Sequence, residues 1–145
     1  MRVYLAGPLF TVGERMFNTQ LAELLSKEKW INLYVPQETM DHEPNSIYFK
    51  HIGALERCDA VVAILDGPDI DSGTAFEVGY AVAQGRPVVG VRTDFRRPGD
   101  TAKSPYNLML NVPLAHELNL SSMDFSISEV ARSIILALST LKGPV

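Results

Sequence analysis

The densest cluster of reactive side chains runs from Asp66 through Asp69 and Asp71 into Ser72-Gly-Thr-Ala-Phe-Glu77. Three carboxylates in one short loop repel one another unless something binds there or water screens them. The residue types admit three readings. Thr74 and Glu77 have capping-box spacing, and acids favour the first turn of a helix because of its dipole. An aspartate-rich loop can also hold magnesium, although nothing else in the chain has metal-ligand spacing. Finally, the Glu77 carboxylate can attack the anomeric carbon of a sugar and form a covalent ester-like intermediate. That role needs an ionised group, which a glutamate near its reference pKa of about 4.3 satisfies. A first-turn position would help to keep it charged and aim it at the strand ends. A second place of interest is Tyr4-Leu-Ala-Gly-Pro-Leu-Phe10. Tyr4 sits in an apolar strand and is either a core residue or a polar tip. Gly7 lets the backbone approach a ligand, and Phe10, at a loop tip, could stack on a base.

The elements that must carry these residues follow from periodicity. Arg2–Ala6 is a short strand that breaks at Gly7-Pro8. Thr11 and Glu14 form a capping box, and Phe17, Leu21, Leu24 and Leu25 continue one helical face to about Lys29. Asn32–Val35 is a second strand, residues 37–45 a polar loop, and Ile47, Ile52 and Leu55 mark a second helix. Asp59–Leu65 is the strongest strand, and its continuous apolar run fits a strand covered on both faces. Thr74–Gln84 is a third helix ended by Gly85, and Pro87–Val91 a fourth strand. Residues 93–104, charged and containing Pro and Gly, read as a mobile surface loop. Ser126 and Glu129 form another capping box, opening a helix through Val130, Ile134, Ile135 and Leu138. This alternation predicts a single-domain, three-layer α/β fold with a mostly parallel sheet. Its ligand belongs beyond the carboxyl ends of the strands, in the loops after Ala6, Val35 and Leu65.

Bulk composition narrows the function. The chain has 145 residues, 46% hydrophobic and 21% charged, a globular balance. Thirteen Lys and Arg against 17 Asp and Glu give a net charge of −4, without the basic footprint of a nucleic-acid binder. Cys58 is the single cysteine, so no intrachain disulfide forms, and a buried inert thiol is expected. Neither a signal peptide nor a membrane span is evident. The expected location is cytoplasmic, with no membrane partner.

Three segments together carry a resemblance: Tyr4-Leu-Ala-Gly-Pro-Leu-Phe10, Asp71-Ser-Gly-Thr-Ala-Phe-Glu-Val-Gly-Tyr80-Ala81 and Asn107-Leu-Met109. In order and approximate separation they resemble the nucleoside 2-deoxyribosyltransferase family, over Arg2 to about Asn111. The resemblance implies a flavodoxin-like fold spanning residues 1–145 as one domain. It also implies transfer of 2-deoxyribose between purine and pyrimidine bases through a covalent glycosyl-enzyme, without a cofactor. By that match Glu77 is the nucleophile, Tyr4 orients it, and Asp71 binds the sugar hydroxyl side. Asn107 reaches into the site of a neighbouring subunit. Gly7, Phe10, Gly73 and Met109 then belong to the substrate site, and Gln37 and Met40 are candidate base contacts. The implied partners are 2′-deoxyribonucleosides and free nucleobases. The implied assembly is a homo-oligomer, dimer-based and up to a hexamer, with shared sites.

The chain departs from the family at two places. Many members carry an aspartate, thought to protonate the departing base, eight positions before the residue equivalent to Asp59; here that position is His51. A histidine can also donate a proton, with a reference pKa of about 6.5, or can merely contact the base. The C-terminal Lys142-Gly-Pro-Val145 lacks the terminal tyrosine of some members. Two alternatives stay open. One is a 2′-deoxynucleoside 5′-monophosphate N-hydrolase, kept in view by Ser72 and by Arg15 near the first loop. The other is a nucleotide-sensing module without turnover. Asp71 argues against the first, because relatives of that kind tend to have serine there and a carboxylate repels a 5′-phosphate.

Overall fold

The computed structural model describes residues 1–39, 41–101 and 104–142. In chain order the elements are β1 (Arg2–Ala6), α1 (Val12–Leu25), β2 (Asn32–Tyr34), a 3-10 turn (Pro36–Glu38), α2 (Pro44–Arg57), β3 (Ala60–Ile64) and α3 (Ser72–Ala83). They continue with β4 (Val88–Arg92), α4 (Leu108–Asn111), β5 (His116–Asn119) and α5 (Ile127–Thr140). The five strands form one sheet in the order β2-β1-β3-β4-β5, and every neighbouring pair is parallel. This is the expected three-layer, doubly wound arrangement.

The strands sort the core by alternation. Val3, Leu5, Val62, Ile64, Val89 and Val91 face α1 and α5, where Leu21, Leu25, Ile134 and Leu138 close over them. Tyr4, Ala6, Val61, Ala63 and Val88 face the opposite way, against Leu55 of α2 and Val78 and Ala81 of α3. β3 and β4 are buried along their whole length, which is why their sequences are continuous apolar runs. The Thr11–Glu14 and Ser126–Glu129 capping boxes both form. Gly85 takes φ +67° just past α3, a left-handed turn that glycine adopts without a Cβ clash.

Some boundaries differ from the sequence expectation. α1 stops at Leu25, because the last apolar residue of its buried face is there and the chain turns through Ser26–Ile31. α2 begins at Pro44, within the segment expected to be loop, with Glu43 accepting hydrogen bonds from Asn45 N and Ser46 N. β5 was not expected. It is a short edge strand of alternating burial, and His116-Glu-Leu-Asn119 lacks the apolar run that marks a central strand. The 93–104 loop is anchored at both ends. Asp66 accepts from Thr93 N, Thr93 Oγ1 and Asp94 N at 2.6–2.9 Å, and Ser104 and Tyr106 are buried.

The buried cation Arg92 reinforces this corner. Its guanidinium donates to the carbonyls of Leu65, Gly67 and Arg96 and lies 3.6 Å from Asp94. Burying a charge is costly unless it is paired and hydrogen-bonded, and here it ties the β3–α3 loop to the end of β4. β1 feeds β2 on one side while β3 lies on the other. Successive strands are therefore added on opposite sides of β1, and in sheets of this kind ligands bind beyond the carboxyl ends of the strands at such a switch point.

Candidate active site

Glu77 reaches from α3 towards β1. Asp71 rather than Thr74 caps that helix: Asp71 Oδ2 accepts from Thr74 N at 2.8 Å and from Thr74 Oγ1 at 2.9 Å. Thr74 is buried, so the expected Thr74–Glu77 capping box does not form. Glu77 stands in the second turn, beyond the first-turn amides expected to keep it charged. Its partner is instead Tyr4, whose hydroxyl donates to Glu77 Oε1 at 2.5 Å. Tyr4 is therefore both of the things its sequence allowed. Its ring is completely buried, and its polar tip reaches across from β1 to α3.

The electrostatics follow from burial. The Glu77 carboxyl is pushed up to about 7, because desolvation disfavours its charged form. The Tyr4 hydrogen bond opposes this rise and the Asp71 charge adds to it. The expectation of a glutamate near its reference value is thus corrected: near neutral pH Glu77 exchanges between acid and carboxylate. Burial, then the nearby Glu77 charge and hydrogen bond, hold the Tyr4 phenol far above its ordinary range. Tyr4 stays protonated and remains a donor.

A second pair adjoins the first. Tyr34 of β2 is the register partner of Tyr4, and the two rings stack with centroids 5.2 Å apart. The Tyr34 hydroxyl lies 2.9 Å from His51 Nδ1 on α2. Burial lowers the His51 pKa, which favours the neutral imidazole. The structure thus joins Glu77, Tyr4, Tyr34 and His51 in one contiguous line over one face of the sheet. Sequence reasoning missed Tyr34, because a tyrosine ending a short strand carries no local mark; only the β1–β2 register places it beside Tyr4.

The remaining candidates are distributed around this line. Gly7 directly follows β1, and a Cβ there would lie 3.1 Å from Ile64 Cβ and 3.7 Å from Asn18 Oδ1. Phe10 is 75% exposed at the tip of the first loop. Gly73 is in the first turn of α3, where a Cβ would stand 3.2 Å from Asp71 Oδ2. Gln37 turns its amide to α1, donating to Arg15 O and Thr19 Oγ1 and accepting from Asn18 Nδ2. Buried Asn18 also donates to Pro8 O at 2.9 Å, fastening the first loop. Arg15 reaches the carbonyl of Leu9 at 3.4 Å. Met40 lies outside the described residues.

Asn107 and Met109 stand apart from Glu77. Asn107 caps α4, accepting from Met109 N and donating to Asp100, and Met109 is 82% exposed. Among the described residues no hydrogen bond connects either of them to Glu77 or Tyr4. The aspartate loop resolves into separate duties, with Asp66 bracing the β4 loop, Asp71 capping α3 and Asp69 exposed. Among the described residues no group of three or more His, Cys, Asp or Glu side chains could hold a metal ion. Cys58 is buried at the end of α2. No helix of the described residues is long and apolar enough to cross a membrane.

Comparison with known proteins bears on this arrangement. A family model described as nucleoside 2-deoxyribosyltransferase matches residues 3–109. A 2-desoxiribosyltransferase structure from Leishmania mexicana superposes with a TM-score of 0.71 at 26% identity, over 93% of this chain and 96% of that one. An uncharacterized protein of Ureaplasma parvum is 34% identical over 97 residues, 57% of this chain and 60% of its own length. A Thermofilum pendens protein named as a 2′-deoxynucleoside 5′-phosphate N-hydrolase is 29% identical over 98 residues, 63% of this chain and 67% of its own length. The chain thus spans about three fifths of the length of the Ureaplasma relative.

Proposed function

Since this chain belongs to the nucleoside 2-deoxyribosyltransferase family, we propose that it exchanges purine and pyrimidine bases on 2′-deoxyribonucleosides by double displacement at Glu77. The observation that carries this reading is the half-buried Glu77 carboxyl held by the Tyr4 hydroxyl between α3 and β1. Tyr4 leaves Glu77 Oε2 to face the anomeric carbon, and the carboxylate bonds to that carbon as the base departs. His51 or a water supplies the proton. A second base then attacks from the face opposite Glu77, and two inversions give net retention.

Asp71 contributes a second carboxylate. Its bonds to α3 use Oδ2, which leaves Oδ1 for a sugar hydroxyl. The transition state is positively charged at the ring, and the carboxylates of Glu77 and Asp71 stabilise it electrostatically. A 2′-hydroxyl withdraws electron density and crowds Glu77, so deoxyribose is preferred. Phe10 stacks on the base, Gly7 and Gly73 let the backbone close on the ligand, and Asn107 and Met109 act in the site of a neighbouring copy. Residues 1–145 act as one domain, as a homo-oligomer in the cytoplasm.

One observation favours a second reading, hydrolysis of 2′-deoxynucleoside 5′-monophosphates, with water in place of the second base. It is the likeness to the Thermofilum pendens protein named for that reaction. The test is to incubate the enzyme with deoxyadenosine or thymidine and a second free base. Appearance of the exchanged nucleoside supports the transferase. Free base released only from the 5′-monophosphate supports the hydrolase, and binding without either product supports a sensor.

A further inference from the structure

Tyr4 and Tyr34 divide their hydroxyls between two different groups. Tyr4 serves Glu77. Tyr34 reaches His51 Nδ1 at 2.9 Å, with the two rings edge-on at 5.9 Å, and its oxygen also lies 3.4 Å from Thr39 Oγ1. A neutral imidazole has one donor and one acceptor nitrogen, and the bond made at one decides the role of the other. A phenol O–H is far more acidic than a neutral imidazole N–H, so the phenol is the better donor in this contact. Thr39 can complete the chain by donating to the Tyr34 oxygen.

We propose that Tyr34 is a positioning residue that donates its hydroxyl hydrogen bond to His51 Nδ1, fixing the proton on Nε2 so that His51 offers an N–H to the departing base. This rests on the proposed glycosyl-transfer reading and assigns His51 a narrower task within it. Burial keeps the imidazole neutral, and a neutral imidazole that gave up its proton entirely would become a costly imidazolate. His51 therefore donates a hydrogen bond, not a proton. The C1′–N bond breaks with its electron pair passing to the base nitrogen, while a Glu77 oxygen bonds to C1′. The base leaves as an anion stabilised by the Nε2–H, and it takes its proton from water.

The test uses the full-length enzyme. Nitrogen-15 NMR of the ligand-free wild type reports the His51 tautomer, with His51→Asn assigning its signals apart from His42 and His116. The expected result is a protonated Nε2 and a bare Nδ1. Tyr34→Phe keeps both ring contacts and removes only the hydroxyl. It is expected to give a mixture of tautomers and to lower kcat on deoxyadenosine about tenfold with KM little changed. Turnover of a nitrophenyl 2-deoxyriboside, whose leaving group needs no donor, should change less than about twofold. A protonated Nδ1 in the wild type overturns the proposal even if Tyr34→Phe fails to fold, as does a folded Tyr34→Phe with unchanged tautomer and kcat. The tautomer is read without substrate, so its outcome is independent of whether Glu77 is the nucleophile.

Discussion

The two halves of the proposed site are built differently. The Glu77–Tyr4–Tyr34–His51 line is packed over the sheet and held by hydrogen bonds between residues far apart in sequence. The Asn107–Met109 corner is exposed, and among the described residues the side-chain hydrogen bonds of Asn107 run to its own turn and to Asp100. The first half is preorganised within one chain, as electrostatic catalysis requires. The second has no duty toward Glu77 that a single chain makes visible, and the proposal that it completes a neighbour's site explains its exposure. Four changes probe that contrast, in descending order of effect.

Glu77→Ala should lower base exchange by at least about 1,000-fold, with circular dichroism and oligomeric state unchanged; turnover within tenfold of wild type would remove Glu77 from the chemistry. Asn107→Ala should lose about tenfold or more and, when mixed with Glu77→Ala, regain activity. In a mixed oligomer one site then has both intact residues. If mixing restores nothing while subunits demonstrably exchange, the two halves do not come from different chains.

The third probe is pH. With Glu77 at about 7, kcat/KM for an uncharged nucleoside should rise with pH through about 7. Tyr4→Phe should move that limb upward, because the lost hydrogen bond favoured the charged form. Stability runs the opposite way. The folded value lies above that of an unfolded glutamate, so protonated Glu77 stabilises the fold fully below the ordinary glutamate value of about 4.3. The contribution is lost as pH rises towards 7. Glu77→Gln should therefore melt several degrees higher than wild type at pH 8 and at nearly the same temperature at pH 4.5. Equal melting differences at both values would contradict the burial account.

The smallest effect is expected at Asp71. Serine also caps helices well, so Asp71→Ser should leave stability within about 0.5 kcal/mol while shifting the ratio of specificity constants towards 5′-monophosphates. An unchanged ratio would discard the charge argument.

Much of this fold was readable in the sequence because its signals are local. Apolar runs marked β3 and β4, capping boxes marked α1 and α5, and Gly85 marked the end of α3. β5 was missed because a half-exposed edge strand needs no apolar run. The candidate pair Glu77 and Tyr4 was identifiable from motif resemblance, but the state of the pair was not. The Glu77 pKa depends on how deeply α3 sets the carboxyl against β1, and no residue near it in sequence reports that depth. The capping role was misplaced for a related reason. Asp71 and Thr74 both suit an N-cap, and only tertiary packing buries Thr74 and leaves Asp71 at the end. Tyr34 and Arg92 escaped notice because their partners are long-range: a register neighbour for one, the carbonyls of another loop for the other.

The central claim is that one carboxylate bonds to the sugar. It is tested most directly by incubating the enzyme with a 2-fluoro-arabinosyl nucleoside, which slows release of the glycosyl-enzyme, and mapping the modified peptide by mass spectrometry. The account predicts a single added fluorosugar on Glu77, absent from Glu77→Ala and removed by adding a free base. A label on Asp71 or any other residue, or no covalent adduct while the base is released, would contradict it.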